Sequence, residues 1–356
     1  MDNMDFVQVA NIKVMGVGGG GCNAIKNMIE EEVQGVEFYI INTDAQVLKN
    51  IDAPNKIILG RDLTHGLGAG GNPEVGKKAA QETETEIKDA LDGANMVFIA
   101  AGLGGGTGTG AAPIIAKAAK DMGALTVGVV TTPFTFEGPK RKRQAEAGLE
   151  ELKKSVDCII PISNDRLLEV IGNIPMGDAF KEADNILRQS VQNITDLITT
   201  HCQINLDFAD VSAVMKDRGN ALIGIGFGEG DNKAEDAALA AVSSPLSEIS
   251  ISGAKDAIIN ITGGQMVTLQ DTSAVFATIN EAAGTEINAI YGVCINPDLG
   301  DAMVVTVIAT GFEDEAEEVK TPVQPKRTVE PIKTQSEEID DDFDQDVPSF
   351  LRNRRV

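Results

Sequence analysis

Short apolar runs alternate with amphipathic stretches along the first half of the chain. Residues 12–17, 38–41, 96–101, 125–130 and 158–162 are compact apolar segments bounded by glycine or polar residues, the pattern of buried strands. Helical stretches fall between them, including 23–32 and one opening at Ala111–Lys117 with Pro113 near its first turn. Alternating β and α units predict a mainly parallel, Rossmann-like α/β sheet covered on both faces, with ligands at the carboxyl ends of its strands. From 178 to 200, Phe180, Ala183, Leu187, Val191, Ile194 and Ile198 recur at steps of three and four. That stripe predicts a long helix of roughly 30 Å. Further apolar runs at 221–227, 257–262, 289–293 and 303–310, separated by helical stretches at 233–242 and 272–283, predict a second, smaller α/β domain. Beyond Phe312 the chain turns acidic and polar, the composition of a disordered linker, until the apolar and basic Val347-Pro348-Ser349-Phe350-Leu351-Arg352, which reads as a docking peptide.

The resulting division is a flexible N-terminus at 1–10, a nucleotide-type domain at 11–176, a central helix at 177–201 and a loop with its following helix at 202–220. The second domain spans 221–312, the acidic linker 313–345 and the terminal peptide 346–356.

A formal net charge of −24 without a basic face argues against nucleic acid as a partner, and the absence of Trp removes the usual stacking platforms. The four cysteines are widely spaced and the two histidines, His65 and His201, are isolated, so neither a zinc site nor a disulfide framework is expected and a reducing cytoplasm suits the chain. No apolar run reaches about 18 residues, which predicts neither a membrane span nor an export signal.

The most informative segment is Gly104-Gly105-Gly106-Thr107-Gly108-Thr109-Gly110, placed between a strand and a helix. Bare backbone N–H groups, a helix N-terminus and absent side chains make that arrangement an anion cradle. Gly16-Val17-Gly18-Gly19-Gly20-Gly21 occupies the same position after the first strand. It fits G-x-G-x-x-G, with Asp44 a loose match to the acidic partner of a dinucleotide site. Two such loops suit a polyphosphate better than a single bridging pyrophosphate. Neither contains the lysine of a P-loop. Gly66-Leu67-Gly68-Ala69-Gly70-Gly71-Asn72 is either a plain mobile loop or one ordered by a terminal phosphate. In Asn205-Leu206-Asp207-Phe208-Ala209-Asp210-Val211 the two carboxylates either cap the next helix or orient a cation or water, and capping is the simpler reading. Within Lys140-Arg141-Lys142-Arg143, one arginine is placed to reach a phosphate.

These motifs resemble the tubulin/FtsZ family of GTPases, in its bacterial cell-division branch. The run at 104–110 is similar to the family's signature loop, the run at 205–211 to the loop that completes catalysis, and the terminal peptide to the family's docking peptide. The resemblance covers about residues 11–312. It implies that Gly19, Gly20, Gly21, Cys22 and Asn23 hold the α and β phosphates and the ribose side, and that Ala69, Gly70 and Gly71 sense the γ-phosphate. Gly106, Thr107, Gly108 and Thr109 would cradle the phosphate chain, Glu137 and Arg141 would flank ribose and phosphates, and Asn164, Phe180 and Asp184 would face the base. A carboxylate such as Asp184 accepts from the N–H groups of guanine, and adenine offers no matching pair.

The resemblance further implies head-to-tail homopolymers in which Asp207 and Asp210, helped by Asn205, enter the next subunit's pocket and polarise the attacking water. GTP and GDP, Mg²⁺ held mainly through phosphates and water, and K⁺ are the implied ligands. Membrane tethers and regulators would bind through Val347, Pro348, Phe350, Leu351 and Arg352, at a midcell ring and without direct membrane insertion. Cys22 departs from the smaller or polar residue usual there, and the linker is short. Two rivals stand beside this reading: a nicotinamide-dependent oxidoreductase built on the first glycine loop, and a relative that binds nucleotide without hydrolysing it.

Overall fold

In a computed structural model, residues 10–172, 174–200, 202–243 and 250–312 are described. His201 and the linker and terminal-peptide expectations lie outside the described residues. Six strands carry the first half: β1 (Ile12–Val17), β2 (Glu37–Asn42), β3 (Asn55–Ile58), β4 (Met96–Gly102), β5 (Leu125–Thr132) and β6 (Cys158–Ser163). Four follow: β7 (Gly219–Gly228), β8 (Asp256–Gly263), β9 (Asn288–Ile295) and β10 (Met303–Thr310). They form one ten-stranded sheet in the order β3-β2-β1-β4-β5-β6-β7-β10-β8-β9. The six N-terminal strands are parallel throughout. β10 runs antiparallel to β7 and β8, and β8 pairs in parallel with β9. Among the described residues the two halves of the sheet pair through Cys158 opposite Gly219 and Ile159 opposite Asn220, with the Arg218 and Gly219 N–H groups also donating to the Asp157 carbonyl.

The helices of the first half are α1 (Gly18–Glu30), α2 (Ala45–Asn50), α3 (Arg61–Thr64), α4 (Pro73–Glu82), α5 (Glu84–Leu91), α6 (Thr107–Asp121), α7 (Pro139–Lys153) and α8 (Asn164–Ile171). α9 (Met176–Thr199), α10 (Phe208–Met215), α11 (Lys233–Val242) and α12 (Leu269–Ala283) complete the set among the described residues. The fold is the expected mixed α/β class with a long central helix.

α9 buries Ala183, Leu187, Val191 and Ile194 on the anticipated stripe. Its first expected member, Phe180, is 38 % exposed and belongs to a cavity wall instead of the core. One apolar cluster joins α1 and α9 (Ile25, Met28, Leu187, Val191) to Val211 and Val214 of α10 and to Ile258 and Ile308 of the distant strands. α9 and α10 thus belong to one core that both halves of the sheet share, an arrangement that stabilises by removing apolar surface from water.

Two helix starts differ from expectation. α1 begins at Gly18 and α6 at Thr107, so each takes in residues read as loop, and Pro113 lies inside α6 rather than at its first turn. Close packing overrides the poor helix propensity of glycine here. A Cβ on Gly21 would sit 2.2 Å from the Ala100 carbonyl oxygen, and one on Gly110 would overlap the Pro73 carbonyl.

The expectation that the chain has no disulfide framework is overturned at one pair. Cys202 and Cys294 form a disulfide with a Cα–Cα separation of 4.5 Å. An isolated antiparallel bridge between Ile204 and Val293 brings the two together across 92 residues of sequence, a proximity no spacing rule contains.

Candidate functional site

The carboxyl ends of β4 and β5 open onto a cavity of about 430 Å³ whose floor is built by the first turns of α1 and α6. Gly19, Gly20 and Asn23 line it from α1, and Gly105, Gly106, Thr107 and Gly108 from the loop and start of α6. Neither helix has a side-chain cap or an acidic residue in its first turn. Their N–H groups and dipoles are therefore left for an anion. The two glycine loops touch: Gly18 has φ +74°, and a Cβ there would lie 2.7 Å from the Gly108 nitrogen. One on Gly108 would lie 2.6 Å from the Gly102 carbonyl oxygen. Side chains at these positions would push the loops apart, whereas Gly19 and Gly105 face open space. The Thr107 hydroxyl is held 2.7 Å from that of Thr43, and the Thr109 hydroxyl accepts from the Gly104 N–H at 2.9 Å.

The opposite wall is suited to a flat polar ring. Phe180 is held edge-on by Phe134, with ring centroids 5.3 Å apart. Asp184 lies one turn further along α9 and forms no ion pair among the described residues; burial pushes its carboxyl up from 3.8 to about 7. Asn164, at the start of α8, is 6 % exposed, and its side-chain oxygen has no hydrogen-bond partner. The unpartnered Asn164 oxygen and the Asp184 carboxyl are acceptors that a ring bearing N–H donors would satisfy. Glu137 accepts from the Phe134 N–H at 3.0 Å and forms an ion pair with Arg141, so Arg141 reaches the cavity as a paired cation.

Not all the expected residues meet there. Cys22 is fully buried with its thiol directed at the Gly16 and Ile41 carbonyls, and burial raises it to about 12, so its side chain serves the core. Gly21 packs on Ala100 instead of lining the cavity. Thr109 lines a separate cleft of about 990 Å³ among α4, α6 and α7, which also takes in Arg143. That larger cleft mixes small and apolar residues such as Pro113, Ile114 and Ala147 with lysines such as Lys77 and Lys117, and contains neither uncapped helix start. Ala69 packs on the signature loop, where a Cβ on Gly106 would come within 2.8 Å of its own Cβ. Gly70 and Gly71 take positive φ in the exposed turn that follows, and the Gly71 carbonyl accepts from Gln144 at 3.1 Å. Asp44 caps α2 by accepting from the Gln46 N–H at 2.8 Å, which occupies the group a dinucleotide ribose would need.

Asp207 and Asp210 form a reciprocal capping box at the start of α10, with N–H to carboxylate distances of 2.9 and 3.1 Å. Capping is thus what the structure shows, and it uses one oxygen of each carboxylate. Asn205 accepts from the Cys202 N–H at 2.6 Å. None of the three lines the cavity. Gly105 of the anticipated glycine run lines it too, and Gly102, Leu103, Thr131, Pro133 and Ala183 line it without having been anticipated. The signal for the first four of these was available, since they sit at or just beyond the carboxyl ends of parallel strands.

A family model described as Tubulin/FtsZ family, GTPase domain, matches residues 11–172, and one described as FtsZ family, C-terminal domain, matches 219–313. Among solved structures, an empty FtsZ dimer from M. jannaschii is 44% identical over 85% of this chain and 88% of that one, with a TM-score of 0.78. A mutant form of that FtsZ matches at 44% identity, covering 85% and 91%, with a TM-score of 0.79. CetZ2 from Haloferax volcanii, solved as a GTPγS-bound protofilament, is 20% identical over 85% and 94%, with a TM-score of 0.72; at that identity it speaks to the fold alone.

Proposed function

This chain belongs to the FtsZ branch of the Tubulin/FtsZ family of GTPases, and from that premise we propose that it polymerises head to tail and hydrolyses GTP where one subunit's loop enters the next one's pocket. The filaments would form the division ring at the future septum. GTP binding and hydrolysis go with the family's GTPase domain, which sets aside both the oxidoreductase and the non-hydrolysing relative. The shared site, the ring and the residue roles below are our reading.

The observation that carries it is the incompleteness of the pocket within one chain. Its carboxylates are Glu137, paired with Arg141, and Asp184, on the base-facing wall. Neither is free to orient water at a phosphate. Asp207 and Asp210 each keep one oxygen unused, but they follow the far end of α9. Fifteen residues of helix separate Asp184 from Thr199, a rise of about 22 Å, and the loop beyond is held on β9 by the Ile204–Val293 bridge. The carboxylates therefore suit a neighbour's pocket. A heterologous contact that does not close on itself makes an open filament.

In the roles proposed, Gly19, Gly20, Asn23, Gly106, Thr107 and Gly108 bind the phosphate chain through backbone and hydroxyl donors, with Gly21, Cys22 and Thr109 as backbone supports. Ala69, Gly70 and Gly71 order against the terminal phosphate. Glu137 and Arg141 fix the ribose side, Phe180 stacks on guanine, and Asp184 and Asn164 read its edge. Asp207 and Asp210 orient the attacking water and Asn205 fixes their loop; positioning and charge stabilisation dominate phosphoryl transfer. Among the described residues no group of three or more His, Cys, Asp or Glu could hold a metal. In this reading Mg²⁺ would be carried mainly by phosphate oxygens and water, would neutralise charge on the phosphate chain, and K⁺ would accompany it. No helix among the described residues is long and apolar enough to cross a membrane. We assign the tether to partners that take Val347, Pro348, Phe350, Leu351 and Arg352, and place the protein in the cytoplasm at midcell.

The test is GTP turnover per subunit against protein concentration, with Mg²⁺ and K⁺ present. A threshold below which turnover nearly vanishes is expected; activity proportional to concentration throughout would overturn the shared site.

A further inference from the structure

We propose that the Cys202–Cys294 disulfide is a redox-controlled positioning device for the catalytic loop, so that oxidation raises turnover within filaments. The inference rests on the shared-site reading given above. Its first support is placement. Cys202 stands three residues before Asn205 and five before Asp207, and its N–H donates to the Asn205 side chain at 2.6 Å. The intervening stretch is laid on β9: the Gln203 and Ile204 N–H groups donate to the Val293 carbonyl at 3.0 and 3.2 Å, and the Val293 N–H returns a bond to Ile204 at 3.1 Å. Among the described residues this bridge, the buried Leu206 side chain beside Gly292 and the disulfide tie a largely exposed segment to β9.

The second support is selectivity. The sequence has four cysteines, and the other two cannot compete. Cys22 and Cys158 are fully buried, and burial pushes both thiols up to about 12, which leaves them almost without the reactive thiolate. Cys202 and Cys294 are half-buried and reachable from solvent. A change of redox poise would therefore be written at one place, beside the catalytic loop. In a cytoplasmic protein a disulfide is seldom a permanent brace and is usually transient or redox-sensing.

The chemistry is thiol–disulfide exchange with a small disulfide R–S–S–R. One cysteine thiolate attacks a sulfur of R–S–S–R and expels RS⁻; the second thiolate then attacks the mixed disulfide and expels the other RS⁻. Two cysteine sulfurs are oxidised, the two oxidant sulfurs are reduced, and the two protons leave with the RSH products. A dithiol reverses the sequence. Opening the bond leaves the short backbone bridge, so the loop keeps its address but loses its restraint.

The experiment uses the full chain well above its assembly threshold, poised in mixtures of reduced and oxidised dithiothreitol. GTP turnover is measured alongside the fraction of Cys202 and Cys294 alkylated, read by mass. Turnover is expected to fall roughly fivefold on reduction, less than the ~100-fold of a 1 Å misplacement because the backbone bridge persists. The two curves should share one midpoint potential, the affinity of unassembled subunits for GDP should not change, and a C202S/C294S double variant should hold the reduced-state rate at every potential. Flat turnover while the bond opens and closes would overturn the proposal. So would thiols that never oxidise, or a redox response that survives in the double variant. Turnover proportional to concentration in both states would instead remove the shared site on which the inference depends.

Discussion

Replacing Asp184 with asparagine probes how the pocket selects its base. The carboxyl lies in the cavity wall and forms no ion pair among the described residues, and burial alone holds it at about 7 when the pocket is empty. Guanine presents two N–H donors to it and so binds the ionised form. Binding near neutrality must then expel a proton from part of the population. With a free-site value near 7, about one-tenth of the groups are ionised at pH 6 and about nine-tenths at pH 8, so GDP affinity should rise about tenfold between them. In the empty protein the sign is opposite: a carboxyl raised from 3.8 to about 7 favours the folded state below that window and withdraws its contribution as pH rises through it. Asp184→Asn removes the titration and sets its amide N–H₂ against the guanine amino group. Losing one charge-assisted bond and creating that conflict costs about 3 kcal/mol, roughly 100-fold in affinity. The same amide matches xanthine, which offers one donor and one acceptor on that edge. Fluorescent-nucleotide titrations of both proteins at pH 6, 7 and 8 make the measurement, and the variant corrects for titration of the phosphates themselves. Equal pH slopes in the two proteins, or an unchanged preference for guanine in the variant, would refute the assignment.

Three further outcomes are expected. Asp207→Asn or Asp210→Asn should lower filament turnover at least ~100-fold with nucleotide affinity unchanged, while loss of one capping contact costs only about 1 kcal/mol in a urea melt. Phe180→Ala should raise the GTP concentration for half-maximal turnover about tenfold, the scale of one lost base–aromatic stack; an unchanged value would place the base elsewhere. Gly226→Ala would put a Cβ 1.8 Å from the Ala237 carbonyl oxygen, and pushing α11 off β7 should cost about 2 kcal/mol and lower the melting temperature by about 4–8 °C.

Most strands were legible because their apolar runs end abruptly: β1 and β10 fall where the pattern ends, as does α11. β3 escaped notice because it has four residues, only one of them buried. The starts of α1 and α6 were hidden for a different reason. Glycine marks a loop in local propensity, yet here it marks a helix pressed against backbone, as Gly21 is on Ala100. Periodicity placed Phe180 with the core of α9, since a helical stripe cannot tell a core from a cavity wall. The phosphate cradle was readable as strand, glycines and helix in order. The carboxylates at 207 and 210 were ambiguous in sequence, and the structure shows the capping role, with one oxygen of each carboxylate taken. The meeting of Cys202 with Cys294 depends on a single bridge across the fold, which lies beyond any local pattern.

The two-residue junction between β6 and β7 has a mechanical consequence. Eight residue pairs tie β10 to β7, but two tie β7 to β6. A subunit under tension along a filament would therefore transmit little of the load through its sheet. The load path would run instead through the apolar cluster in which α9 and α10 meet residues of both halves. Such a joint yields by sliding before it tears, so a pulled or bent filament should first loosen along Ile159 and Asn220, with amide exchange accelerating there while β1 and β10 stay closed.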